Sequence, residues 1–138
     1  MIAALLSLLA AFGDDQTEPR DKRVANLLQL TIELPETLTP EDRARSLTTL
    51  EADMATIRSC AGAEQLAARY QRERTFAARI VQRSDYPVGW MPPNLHGELV
   101  GLPTGHPTKV FGDRTTPRIL IACTEPRLLP NGAAPPAP

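Results

Sequence analysis

The chain has no excess of charge of either sign: among its 138 residues, 15 Lys and Arg stand against 16 Asp and Glu, a formal net charge of −1. That balance excludes nucleic acid and anionic membrane surfaces as steered partners, because nothing in the net field draws a polyanion in. Long apolar runs are missing as well. The longest stretch, MIAALLSLLAAFG over residues 1–13, falls short of the roughly 20 residues that a membrane-spanning helix needs, so no integral span is expected. Cysteine is scarce: Cys60 and Cys123 are the only two. They form no CxxC pair and join no His/Cys cluster, which argues against a zinc site. Ser7 and Ser46 have no His and Asp at the spacing of a hydrolytic triad.

What is present is ordinary globular composition, 42% hydrophobic and 22% charged, enough for one small domain. A chain of this size buries roughly two thirds of its unfolded surface and folds without a metal. The apolar start ends abruptly at Asp14 and Asp15, with small residues Ala10, Ala11 and Gly13 near the break. It fits the apolar core of a secretory signal, although no Lys or Arg precedes it; the alternative is the end of a packed helix. If the chain is exported, Cys60 and Cys123 are the right number for one disulfide; otherwise they are two buried thiols.

Residues 14–25 are polar and read as a linker. NLLQLTIELP then alternates, with Leu28, Leu30, Ile32 and Leu34 facing one way and Gln29, Thr31 and Glu33 the other, the pattern of a half-buried strand. Thr39 followed by Pro40, Glu41 and Asp42 predicts a helix start. Leu47, Leu50, Met54 and Ile57 recur along its buried face, and Gly62 is expected to interrupt before a second short helix with Leu66, Ala67 and Tyr70 inward. A second strand is expected over 74–82, with Phe76, Ala78 and Ile80 on one face, and a loop through SDYPVGWM. A helix over 93–101 carries Leu95 and Leu99 inward, a third strand lies near 106–112, and RILIAC over 118–123 is the last strand. The Pro-rich tail 126–138 is expected to be disordered. The fold class is therefore α+β, a small antiparallel sheet of about four strands with packed helices, in the order β-α-α-β-α-β-β.

That order carries a resemblance. Gly89-Trp90, then Pro92-Pro93-x-Leu95, then Leu102-x-x-Gly105, then RILIAC occur in the succession of the parvulin-type peptidyl-prolyl cis-trans isomerase domain. The chain is most similar to the versions in SurA-like periplasmic folding factors, over residues 26–125. The resemblance implies a domain of the bacterial cell envelope that acts on Xaa-Pro bonds of unfolded or exported polypeptides, with no cofactor and no metal. It also implies a helical module ahead of the domain, where this sequence has only the linker.

Carried over residue by residue, the family's pocket methionine falls on Met91, its pocket aromatic on Leu95, and Trp90 becomes a wall of the substrate-binding cup. The two family histidines fall on Gln29 and Arg118. The family acid falls on Pro87, with Asp85 nearby. The apolar half of the site is thus retained and the histidine pair is replaced, which leaves two expectations: isomerisation with Gln29 and Arg118 as substitute catalytic groups, or an inactive domain that binds unfolded peptides. His96 and His106 fall on neither histidine position; His96 is expected on the solvent side of its helix and His106 in a turn.

Overall fold

The computed structural model describes residues 19–138, so the apolar leader 1–13 and the first part of the linker 14–25 lie outside the described residues. A central strand, β1 (Val24–Glu33), leads into two helices, α1 (Pro40–Met54) and α2 (Cys60–Glu73). The edge strand β2 (Ala77–Pro87) follows, then a 3-10 turn (Val88–Trp90), helix α3 (Pro93–Gly101) and strand β3 (Arg118–Ala122). The sheet is antiparallel and three-stranded, in the order β2-β1-β3.

Both sides of β1 are occupied, for different reasons. Leu28, Leu30 and Ile32 are fully buried against Leu50 and Met54 of α1 and Leu66 and Tyr70 of α2, as the alternation predicts. Each such side chain contributes about 2 kcal/mol on burial. On the opposite face Leu27 packs with Leu120, Ala122, Val88, Met91 and Leu99, so α3 covers one end of that face. The strand is therefore more than half-buried: Thr31 on this face is 2% exposed.

Thr39 caps α1, its hydroxyl accepting the Asp42 N–H at 3.1 Å. The break between the helices lies at Ala55–Arg58 and not at Gly62. Thr56 turns its hydroxyl onto the Asp53 carbonyl, Ser59 starts a new helix, and the Ser59 hydroxyl accepts the N–H of Gly62 in its first turn. Cys60 and Cys123 are bonded, joining the first residue of α2 to the chain just past β3.

Two strand expectations are corrected. β2 runs on through SDYP to Pro87, because an irregularity between Ala25 and Leu27 accommodates the extra residue: Ala25 faces Tyr86 while Leu27 faces Arg83. Asp85 takes φ 50° there, and its N–H donates to the Asn26 side chain at 2.9 Å. The third of the four expected strands does not form. Residues 106–112 run beside β3 but make only isolated bridges, Pro107 to Ile121 and Phe111 to Arg118. Pro107 has no N–H to give a ladder, and the buried Thr108 hydroxyl, not a backbone carbonyl, accepts the Leu120 N–H.

The chain beyond Pro126 is not wholly without partners. Arg127 bridges Val24 through two backbone hydrogen bonds of 2.7 and 2.8 Å, its guanidinium pairs with Asp85, and a short 3-10 turn follows at Pro130–Gly132. No described helix is long and apolar enough to cross a membrane.

Candidate functional site

Residues opposite one another in an antiparallel sheet point to the same face. On the face that α3 leaves partly open, the register sets three transverse rows: Arg79–Thr31–Arg118, Val81–Gln29–Leu120 and Arg83–Leu27–Ala122. A cleft of about 690 Å³ opens over these rows, a size suited to a small ligand or a short peptide segment. Leu27, Gln29, Val81 and Leu120 form its floor, with Arg83 and Arg118 at the margins. Met91, Pro92, Asn94, Leu95 and Glu98 form the α3 wall, and Tyr86 and Phe111 add two rings.

Four of the five residues singled out for the cup and its polar groups meet here: Gln29, Met91, Leu95 and Arg118. Trp90 is the exception. It is half-buried in the 3-10 turn and does not line the cleft. Successive side chains in such a turn diverge by about 120°, so the turn that directs Met91 inward points Trp90 elsewhere. Tyr86 and Phe111 were not legible as site residues. Tyr86 reaches the cleft only because the irregularity in β2 carries it past Asn26, and Phe111 only because its backbone bonds to Arg118 in both directions, at 2.9 and 2.8 Å.

The polar groups are few and directed. The Gln29 amide donates one N–H to the Thr31 hydroxyl at 3.1 Å, and its second N–H and carbonyl oxygen have no other partner among the described residues. The Arg118 guanidinium lies over the Phe111 ring, 5.1 Å from its centroid. Glu98 is occupied, accepting the backbone N–H of Lys109 at 2.6 Å. The loop that delivers Arg118 is built by Asp113, which accepts the backbone and hydroxyl donors of Thr115 and Thr116. These bonds, the Thr116 hydroxyl foremost, hold the Asp113 carboxyl well below the usual carboxylate range. Arg43, 6% exposed, anchors the same loop from α1 by donating to the carbonyls of Arg114 (2.6 Å) and Pro35 (2.9 Å).

Neither histidine reaches the cleft. His96 is not turned to solvent as expected: its Nε2 lies 2.8 Å from Asp21 Oδ2, and its side chain is 28% exposed. Asp21 also accepts from the backbone and guanidinium of Arg23, and the guanidinium chiefly holds its carboxyl well below the ordinary range, with His96 adding to the effect and burial opposing it. This N-terminal strap lies directly on Gly89, where a Cβ would come 2.4 Å from the Asp21 carbonyl oxygen. His106 lines a second cleft, of about 530 Å³, beside Arg58 and Lys109. Among the described residues no group of three or more metal-binding side chains occurs. The geometry offers apolar walls, two cations, the side-chain amides of Gln29 and Asn94 and the carboxylate of Glu98; among the described residues it offers no nucleophile–base pair.

No protein-family model matches the chain, and no curated protein or solved structure matches it at a significant level.

Proposed function

We propose that this cleft holds the proline ring and adjoining backbone of unfolded or exported polypeptides. In this reading the chain is a parvulin-like folding-factor domain of the bacterial cell envelope that speeds cis–trans exchange at Xaa-Pro bonds. The observation that carries it is the meeting of Gln29, Met91, Leu95 and Arg118 in one cleft, although they come from three separate parts of the chain.

The chemistry asks for little. Rotation about the Xaa-Pro bond is opposed by a barrier of roughly 18–20 kcal/mol that comes from amide resonance. Twisting the bond removes that resonance, lowers the charge on the carbonyl oxygen and returns the lone pair to nitrogen. An apolar cup made by Met91, Leu95 and Leu120 therefore disfavours the planar, more polar amide relative to the twisted one. The remaining Gln29 N–H serves as a donor to the prolyl nitrogen, and Arg118 holds a neighbouring carbonyl. No cofactor enters. The Cys60–Cys123 bond supports an oxidising compartment such as the periplasm.

A second reading, a domain that binds such segments without turning them over, is favoured by one observation: both histidines lie outside the cleft, His96 on Asp21 and His106 in the lining of the second cleft. NMR exchange on a peptide with a Leu-Pro bond, mixed with the full chain, separates the two. Exchange faster than the spontaneous rate is the expected result. Shifted cleft resonances with unaltered exchange select the second reading, and no shift at cleft residues overturns both.

A further inference from the structure

Two cations border the cleft without forming an ion pair. Among the described residues, neither Arg83 nor Arg118 lies within ion-pair distance of an acid. The cleft's own acid, Glu98, keeps its charge but is held on the Lys109 backbone N–H and pairs with neither arginine. Arg118 is the better placed of the two. Its guanidinium carbon lies over the Phe111 ring, 5.1 Å from the centroid, and its N–H donors have no hydrogen-bond acceptor among the described residues. Across Thr31 lies Arg79, two strand spacings or about 10 Å away, and its pairing with Glu33 is loose at 3.9 Å. Row for row, Arg79 and Arg118 thus flank Thr31 on this face, with Glu33 loosely on the first and no acid paired with the second.

From this we infer that the peptide held in the cleft carries a carboxylate close to its proline, and that Arg118 binds it. The inference rests on the proposed peptide-binding reading and narrows its substrate class. Spacing sets the distance. Leu120, on the apolar floor, and Arg118 are two residues apart on one face of β3, which puts their Cα atoms about 7 Å apart. With a proline ring over Leu120, a group over Arg118 belongs to a residue one or two places away along an extended ligand. The carboxylate comes either from an acidic side chain or from a chain terminus that ends there. The planar guanidinium accepts either in two parallel hydrogen bonds.

The test is an NMR titration of the full chain with amidated proline peptides bearing Glu beside the proline, on either side, and their Gln counterparts. A third pair has no acidic side chain and ends one residue after the proline, as free acid or amide. The Glu peptides are expected to bind about fivefold tighter than the Gln peptides at low salt, with the preference shrinking as salt rises. Preference for the free-acid member over its amide assigns the terminus as a source as well. Arg118→Gln is expected to abolish the preference, Arg118→Lys to retain part of it, and Arg45→Gln, on the exposed side of α1 away from the cleft, to leave it intact. Equal affinity for Glu, Gln, acid and amide peptides overturns the inference and leaves the peptide-binding reading standing. So does a preference that survives Arg118→Gln. Failure of every peptide to shift the cleft overturns the reading on which the inference rests, and the inference with it.

Discussion

Cys60, the first residue of α2, is bonded to Cys123, the residue after β3, with 5.6 Å between their Cα atoms. The bond closes a loop with a sequence separation of 63 and fastens the helical layer to the strand that carries Arg118. In the chain-entropy account, a loop of that length removes enough freedom from the unfolded chain to contribute about 4 kcal/mol. Urea unfolding of the oxidised protein against the Cys60→Ala/Cys123→Ala double variant measures it. A loss below about 1 kcal/mol would mean that the unfolded chain is already restricted in the same region.

Asp21 gives the protein an acid sensitivity whose sign is determined. Its folded carboxyl is held below its unfolded value, near 3.9, chiefly by Arg23, so the stabilisation is complete well above pH 4 and is lost as pH falls through the folded value. Asp21→Asn is expected to cost about 1 to 2 kcal/mol at pH 7, and progressively less below pH 4. Unfolding midpoints at pH 7 and pH 3 check this. An equal penalty at both pH values would assign the effect to shape and not to charge.

Much of the fold was legible locally, and the site only in part: Gln29, Met91, Leu95 and Arg118 line the cleft, while Trp90 does not. The alternation from Leu28 to Ile32 and the Thr39-Pro40 cap are decided by neighbours in sequence, and they stand as read. Position 62 misled because glycine is costly inside a helix but tolerated in a first turn, where the Ser59 hydroxyl takes its N–H. The strand expected at 106–112 failed on one proline and one threonine side chain. The engagement of His96 by Asp21 joins residues 75 apart, and no local pattern encodes it. Leu95 marked the loss of a ring at its own position; the rings of Tyr86 and Phe111 reach the cleft from elsewhere.

Gly105 cannot be replaced without moving backbone. It has φ 89°, and a Cβ there would lie 2.2 Å from the Arg58 carbonyl oxygen. Its N–H also donates to Ala122 at the end of β3. Gly105→Ala combines a disfavoured conformation with a clash against backbone, and is expected to destabilise by about 3 kcal/mol. Gly97→Ala is the internal comparison: it lies in α3 with nothing within 4 Å, and is expected to be neutral or stabilising. Thermal unfolding of both variants checks the pair, and similar midpoints would contradict the assigned contact.

Leu95 and Leu99 lie one helical turn apart on α3, yet they serve different ends. Leu99 is 2% exposed and packs in the core beneath the helix, whereas Leu95 is only partly buried and lines the cleft. Leu99→Ala is expected to cost about 3 kcal/mol of stability and to leave peptide affinity unchanged while the protein remains folded. Leu95→Ala is expected to cost under about 1 kcal/mol of stability, because solvent already reaches the site. The same change opens the wall against a proline ring and should weaken peptide binding about tenfold, equivalent to about 1.4 kcal/mol of lost apolar contact. Denaturation and peptide titration on the two variants therefore yield opposite rankings if the cleft is where the ring sits. If Leu95→Ala loses stability without losing affinity, this leucine belongs to the core and the ring binds elsewhere.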